Sequence, residues 1–171
     1  MIQQETGPFI ENTGVAMISV TRKLEVNPHD GPAAIRLTRE QVWTGLVRKA
    51  ENAVPFVDAI TSCVVLQRQA DRLVREVVLH GETLQKLILS FPEERVEIVR
   101  LSGNATDQIK NIIEEDQEGE LYLRFKFDLV LQGVEPGSAA EQELAAGMES
   151  AYLDAVRTTL KRMREEGLPS A

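Results

Sequence analysis

Cysteine and histidine are scarce in this 171-residue chain, which has one cysteine, Cys63, and two histidines, His29 and His80, far apart in sequence. A single cysteine excludes an internal disulfide and a cysteine-based zinc cluster. The sequence contains no His-Glu-x-x-His pair, glycine-rich phosphate loop, nucleophile elbow or calcium-binding loop. We therefore expect neither a metal site nor a cofactor, and we interpret Cys63 as a buried, unreactive thiol.

Long apolar runs and an excess of positive charge are also missing. No stretch approaches the roughly 18 apolar residues that cross a bilayer, and the first residues lack the basic and apolar segments of a signal peptide. The formal net charge is -8, which argues against nucleic acid, because nonspecific affinity for it comes from clustered Lys and Arg. We expect a cytoplasmic protein, monomer or homodimer, without nucleic-acid binding or membrane insertion.

The length fits one domain with a core large enough to fold alone. We expect a flexible N-terminal arm at residues 1–13, where glycine, proline and polar residues show no clear periodicity. The predicted domain covers residues 14–168.

Alternating apolar and polar residues predict a β-strand at 14–26. Six more strand-like segments follow, separated by short turn sequences. Short connections favour an antiparallel meander, since parallel strands need long crossovers. The predicted ranges are 61–68, 72–80, 83–91, 94–101, 106–115 and 120–132.

Two capping boxes predict the helices. Thr38 and Gln41 begin a helix at 38–50, and Ser138 and Glu141 begin an uninterrupted helix that ends near Glu166. The apolar face of the last strand has no other partner long enough to cover it. Such an arrangement tends to enclose a cavity, which favours small-molecule binding.

A few polar residues share a strand or helix face with apolar neighbours: Arg22, Arg75, Asn111 and Tyr152. A buried charge must be paired, so inward arginines predict a ligand that carries a carboxylate, carbonyl or phenol. Other interpretations stay open. Each arginine could extend to a solvated rim, or Arg75 could pair with Glu76. Tyr152 could be a phenol packed in the core, and Asn111 could be a polar residue at a strand edge.

The predicted cavity is largely apolar. Its expected lining is drawn from Val20, Leu87, Leu89, Phe125, Phe127, Met148 and Tyr152. The candidate ligand-binding residues are Arg22, Arg75, Asn111, Tyr152, Phe125, Phe127, Leu89 and Met148, and no catalytic residue is identified.

Segments 37–46, 55–63 and 119–123, with Asn27-Pro28 and the stretch 137–141, resemble the AtaL-like family of the SRPBCC superfamily. That superfamily includes START domains, birch-pollen allergens and polyketide cyclases. The resemblance implies an α+β helix-grip fold. In it, a seven-stranded antiparallel sheet curves around a long C-terminal helix, and two short helices follow the first strand.

The resemblance implies a hydrophobic or aromatic ligand related to natural products, and two functions stay open. The protein could bind such a molecule in an internal cavity as a carrier or sensor. It could instead act on a reactive intermediate in the same cavity as a cyclase, dehydratase or isomerase, without metal or cofactor.

Overall fold

The computed structural model describes residues 15–29, 36–103 and 105–166, so the expected arm at 1–13 lies outside the described residues. The elements follow the predicted order closely. They are β1 (Val15–Glu25), α1 (Arg39–Glu51), β2 (Ile60–Arg68), β3 (Arg72–Leu79), β4 (Glu82–Phe91), β5 (Arg95–Arg100), β6 (Ala105–Glu115), β7 (Leu121–Gln132) and α2 (Ala139–Glu166).

The strands form the predicted seven-stranded antiparallel sheet, in the order β1-β7-β6-β5-β4-β3-β2. Short turns join the consecutive strands from β2 to β7, whereas β1 pairs with β7, the last strand of the chain. Between β3 and β4 the turn consists of His80 and Gly81, whose φ angles are 50° and 80°. Positive φ at both central residues is what a tight two-residue hairpin turn requires, and it sets Leu79 opposite Glu82.

The predicted capping box at α1 forms completely. The backbone amide of Gln41 donates to Thr38 Oγ1 at 3.2 Å, and the amide of Thr38 donates to Gln41 Oε1 at 2.8 Å. At α2, the amide of Glu141 donates to Ser138 Oγ at 3.2 Å. Only this Ser138 half of the second box forms, because the Glu141 carboxylate accepts from the amide of Gly137 at 3.0 Å instead of from that of Ser138. These contacts satisfy amides that have no partner within the helix.

The second short helix expected after β1 is absent from the described residues that join α1 to β2. Turns occupy that segment instead: the amides of Phe56 and Val57 both donate to the carbonyl of Ala53, at 3.0 and 2.9 Å. Pro55 has no amide hydrogen to continue a helical ladder. The expectation of two short helices is therefore wrong at this point, although the order of strands around it is right.

The face of the sheet covered by α1 and α2 is here called the inner face. Its main core is centred on β7, where Leu123, Phe125 and Phe127 are at most 1% exposed. From α2, Val156, Leu160 and Met163 pack into the same core. The helices approach each other closely: a Cβ on Gly45 of α1 would lie 2.4 Å from Cγ of Met163. A smaller cluster of Ala53, Ile60, Val77 and Leu84 lies beyond the end of α1.

Candidate functional site

Strand register brings charged side chains into one line across the inner face. Arg75 of β3 lies opposite Lys86 of β4, and Lys86 lies opposite Arg100 of β5. Nη1 of Arg100 is 3.6 Å from Oδ2 of Asp107 on β6. We call these residues, Arg75, Lys86, Arg100 and Asp107, the charged row.

Apolar residues flank the charged row on both sides. On one side, β3 and β4 place Val77 opposite Leu84 in the smaller cluster. On the other side, a line in register from β3 to β1 consists of Leu73, Ile88, Ile98, Ile109, Phe127 and Val20. The charges therefore lie between two hydrophobic cores, where solvation by water is weak.

Burial makes the charged row energetically unusual. Arg75, Lys86 and Asp107 are only 2%, 5% and 6% exposed, and Lys49 of α1 contributes a further buried amine. Among these groups Asp107 is the one buried carboxylate, and the exposed carboxylate of Glu82 lies 3.5 Å from Nη2 of Arg100. Buried charges normally need a partner of opposite sign, so this interior carries uncompensated positive charge in a chain whose formal net charge is -8.

Arg75 lies in the interior, as predicted, and its partners are backbone oxygens. Nη1 donates to the carbonyls of Lys49 and Ala50 at 2.8 and 2.9 Å. These carbonyls belong to the last turn of α1, the negative end of the helix dipole. Nε of Arg75 is buried without a hydrogen-bond partner in the described part of the chain. The two hydrogen bonds from Nη1 hold the guanidinium in place, and the Nε–H donor of Arg75 stays unused.

The two buried lysines have no carboxylate within ion-pair distance among the described residues. Burial, together with the charges of Arg75 and Lys86, lowers the pKa of Lys49 from 10.5 to about 8. Burial also lowers the pKa of Lys86, and the nearby Asp107 carboxylate opposes that change. Strongly perturbed amines gathered in one place are typical of functional sites.

Tyr152 of α2 lies near the Asp107 and Arg100 end of the charged row. Its ring stacks on Phe127, with centroids 4.6 Å apart and an interplanar angle of 29°, and on Phe125 at 6.1 Å. Burial raises the pKa of the Tyr152 phenol, and the charge of Asp107 raises it further while that of Arg100 lowers it. The phenol therefore stays protonated at neutral pH, close to a carboxylate and a guanidinium.

Two more predicted residues lie on the inner side. Asn111 is 3% exposed and is paired in register with Val96 and Phe125. Met148 of α2 is partly buried against the main core. Their expected placement agrees with the structure, and their contact with a ligand stays a prediction.

Three predicted residues, Arg22, Leu87 and Leu89, lie elsewhere. Arg22 shares the face of Val20, but its guanidinium is exposed at the rim, where it bonds Glu149 of α2 and donates to the carbonyl of Thr21 at 2.8 Å. β1 is an edge strand, and the Glu149 carboxylate holds the arginine there. The expectation of an inward Arg22 is therefore wrong, and the rim interpretation describes it.

Leu89 was expected to line the cavity, but it lies on the opposite face of the sheet. Its register partners are Arg72 and Glu97, whereas its neighbour Ile88 is fully buried in the main core. Leu87 shares the outward face with Leu89. Both are wrong as interior lining, because the inner positions of β4 are Leu84, Lys86, Ile88 and Ser90.

A surface groove of about 480 Å³ lies along another part of α1. It is lined by Thr38, Glu40, Gln41, Thr44, Gly45, Arg48 and Met163. None of the charged-row residues borders it, so the groove and the row are separate features.

In the described part of the chain, no three His, Cys, Asp or Glu residues gather as metal ligands would. Neither described helix is long and apolar enough to cross a membrane.

Comparison with known proteins gives consistent results in sequence and in structure. A family model described as Acetylaranotin biosynthesis cluster protein L matches residues 18–167. The chain is similar to a protein of that description from Aspergillus terreus (strain NIH 2624 / FGSC A1156), with 26% identity over 141 residues, 80% of this chain and 84% of the relative.

Two solved structures share the fold. The Zhui aromatase/cyclase from Streptomyces sp. R1128 has a TM-score of 0.66 at 14% identity, over 86% of this chain and 93% of its own. The di-domain ARO/CYC BexL from the BE-7585A biosynthetic pathway has a TM-score of 0.64 at 13% identity over 91% of this chain. This chain spans 51% of BexL, about half its length. At these identities the likeness shows the helix-grip fold.

Proposed function

The chain belongs to the family of acetylaranotin biosynthesis cluster protein L, and from that premise we propose that it binds a small secondary metabolite, or a biosynthetic intermediate, against the charged row. The observation that carries the proposal is the uncompensated positive charge of Arg75 and Lys86 between two hydrophobic cores. A ligand with an anionic oxygen supplies the missing partner.

The surroundings of the row define the chemistry of that ligand. Phe125, Phe127 and Tyr152 form a stacked aromatic group, which favours an aromatic or conjugated body. The Lys86 ammonium and the free Nε donor of Arg75 favour a carboxylate, an enolate or a phenolate. The supported ligand class is therefore a planar, largely apolar molecule with one acidic oxygen.

Lys86→Met tests the role of charge in binding. Methionine keeps a similar length and removes the ammonium. We expect the affinity for an anionic aromatic dye, 8-anilinonaphthalene-1-sulfonate, to fall by roughly tenfold or more, because a hydrogen bond to a charged group contributes about 1.5–3 kcal/mol. The affinity for a neutral dye such as Nile red should change little. Fluorescence titration of both dyes measures the difference.

The matched control is Lys126→Met, since Lys126 is an exposed lysine on the outer side of β7. It should leave both titrations unchanged. Equal binding of the anionic dye by the parent and by Lys86→Met contradicts the proposal. Equal losses for both dyes contradict it as well, because they would point to a packing defect rather than to charge.

Tyr152 favours a second candidate function, cyclisation or dehydration of a reactive intermediate in the same place. Its phenol makes no hydrogen bond within the described part of the chain, although it lies near Asp107 and Arg100. A protonated phenol can donate a proton to a developing alkoxide or enolate, and the nearby Asp107 carboxylate can accept one. Related folds in the aromatase/cyclases described above support this chemistry by analogy.

Tyr152→Phe distinguishes the second candidate from simple binding. With a synthetic poly-β-ketone thioester, we expect loss of the phenol to slow formation of the cyclised product by roughly 10²–10⁴-fold. Dye affinity should be retained, because the ring stacking on Phe127 is kept. Tyr122→Phe is the control: Tyr122 is the other tyrosine, and its hydroxyl donates to Asp116 Oδ2 at 3.3 Å at the sheet end. Equal rates for the parent and Tyr152→Phe would leave binding as the function.

A further inference from the structure

Two buried side-chain atoms of the charged row have no hydrogen-bond partner within the described ranges: Nε of Arg75 and Oδ1 of Asp107. The two residues are only 2% and 6% exposed, so bulk water does not reach these atoms. Buried polar atoms without a partner are costly, and native interiors contain few of them. Because one atom is a donor and the other an acceptor, a ligand that supplies one acceptor and one donor would satisfy both.

The two atoms belong to opposite ends of the charged row. Arg75 lies on β3 and Asp107 on β6, with Lys86 and Arg100 on the strands between them. Neighbouring strands of a sheet are about 4.8 Å apart, so the Cα atoms of Arg75 and Asp107 lie roughly 14 Å apart. One small polar group therefore cannot contact both atoms, whereas an elongated molecule can.

The surroundings of Asp107 leave Oδ1 available to accept a hydrogen bond. Oδ2, the other carboxylate oxygen, is 3.6 Å from Nη1 of Arg100. The other two nitrogens of Arg100 have partners elsewhere: Nε donates to the carbonyl of Ser102 at 2.7 Å, and Nη2 is 3.5 Å from the Glu82 carboxylate. On β7, the residue in register with Asp107 is Leu129, which is apolar and buried. An acceptor in such surroundings selects a ligand with an O–H or N–H donor.

An apolar surface runs alongside the charged row. Ile88, Ile98 and Ile109 are in register on β4, β5 and β6 and are at most 7% exposed. Each lies two positions from the row residue of its own strand, so both lines face the same side of the sheet. A flat apolar body can therefore lie against these isoleucines while its two ends reach Arg75 and Asp107.

We propose that the ligand is an elongated aromatic hydroxy acid, whose acid group accepts a hydrogen bond from Nε of Arg75 and whose hydroxyl group, at the far end, donates to Oδ1 of Asp107. The inference rests on the proposed function and adds a donor at a defined distance from the acidic oxygen. A fused pair of aromatic rings with a substituent at each end matches the span of roughly 14 Å once a hydrogen bond of about 2.8 Å is added at either end. Asp107 then determines specificity, because a ligand without the hydroxyl leaves a buried carboxylate oxygen without a partner.

A series of naphthoates tests the donor and its spacing on the parent protein. In 6-hydroxy-2-naphthoate the acid and the hydroxyl lie at opposite ends. The comparison compounds are 2-naphthoate, which lacks the hydroxyl, 6-methoxy-2-naphthoate, which lacks the donor, and 3-hydroxy-2-naphthoate, which has its hydroxyl beside the acid. We expect 6-hydroxy-2-naphthoate to bind about tenfold or more tightly than each of the others, because its hydroxyl donates to a charged acceptor. Isothermal titration calorimetry measures the four dissociation constants.

Asp107→Asn should remove the preference for the hydroxyl. Nη1 of Arg100 lies on the Oδ2 side and favours the amide oxygen there, which places the amide nitrogen, a donor, where Oδ1 lies. A hydroxyl and a methoxy oxygen can both accept from that nitrogen, so the tenfold difference should disappear. The matched control is Asp128→Asn, which alters an exposed carboxylate of β7 that accepts from Ser19 Oγ at 2.6 Å. It should keep the preference.

Equal dissociation constants for 6-hydroxy-2-naphthoate and 2-naphthoate overturn the inference. An equal gain from the hydroxyl of 3-hydroxy-2-naphthoate, or an unchanged preference in Asp107→Asn, overturns it as well. The titrations of the parent protein decide the question even if that variant fails to fold. The outcome is separable from that of the proposed function. Binding of 2-naphthoate that weakens in Lys86→Met, without any gain from the distant hydroxyl, supports the charged-row site and rejects the hydroxy acid. Absence of binding by all four compounds rejects both.

Discussion

Lys49→Met is expected to raise the free energy of unfolding by about 3 kcal/mol at pH 7. The folded state lowers the pKa of this lysine from 10.5 to about 8, first through burial and then through Arg75 and Lys86. One pKa unit corresponds to about 1.4 kcal/mol, so the charged amine opposes folding by roughly that total. The hydrogen bonds from Arg75 go to backbone carbonyls and survive the substitution.

The pH dependence of the same effect has a definite sign. Below pH 8 the amine is protonated in both the folded and unfolded states, and the full cost is present. As the pH rises from about 8 to 10.5, the unfolded chain holds more protons than the folded one, so the parent gains stability. The advantage of Lys49→Met should therefore disappear near pH 10.5.

Urea unfolding of both proteins at several pH values measures this difference. Lys126→Met is again the control, because substitutions of exposed residues usually change stability by no more than about 0.5 kcal/mol. A destabilised Lys49→Met at pH 7, or a difference that does not shrink above pH 8, contradicts the interpretation of Lys49 as an unpaired buried charge.

Asp107→Asn is expected to destabilise the protein by about 3 kcal/mol or more. The substitution preserves shape and removes the one carboxylate within the charged row. Removing a single partner from a buried ion pair typically costs 3–5 kcal/mol, because the remaining charge is left uncompensated. Here the carboxylate lies 3.6 Å from Nη1 of Arg100 and also supports the charge of Lys86. Arg100 keeps the exposed Glu82 carboxylate at 3.5 Å, so the loss falls mainly on Lys86.

A double-mutant cycle identifies the cause of that loss. If repulsion among the cations destabilises Asp107→Asn, then Lys86→Met in the same background should restore a large part of the stability. Denaturant midpoints of the parent, both single variants and the double variant give the coupling energy. Additive effects of the two substitutions would show that Asp107 and Lys86 act independently.

The fold was largely predictable because its local signals agree with one another. Apolar and polar residues alternate in β7 from Leu121 to Leu129. The capping box at α1 forms as expected, and Ser138 caps α2. The short turn sequences between strands also predicted correctly that consecutive strands run antiparallel. A second short helix was expected between α1 and β2. The connecting segment is short and contains Pro55, and it forms only turns.

The charged row was harder to predict, because parity within one strand does not show which face is buried. In β4 the outward residues Leu87 and Leu89 are as apolar as the inward ones, and Lys86 resembles a surface residue. A signal was nevertheless present. The two-residue turn His80-Gly81 fixes the register, and that register places Lys86 opposite the inward Arg75.

Lys49 and Arg22 illustrate a limit of a different kind. Lys49 lies three residues after Leu46, on the apolar side of α1. A lysine at such a position is nevertheless normally predicted to face solvent. Arg22 occupies a strand position whose side chains face inward. Its guanidinium instead donates a hydrogen bond at the rim to Glu149, which lies more than a hundred residues later in the chain. Only the packing of the helices on the sheet decides these two positions.

The charged row takes a single side chain from each of four adjacent strands, β3 to β6. The ladder hydrogen bonds that join those strands are made by the backbone, and the apolar line beside the row belongs to other positions. A substitution in the row thus alters the charge pattern without altering strand pairing. The charge pattern of such a sheet can therefore evolve one strand at a time, and a designer can vary it in the same way.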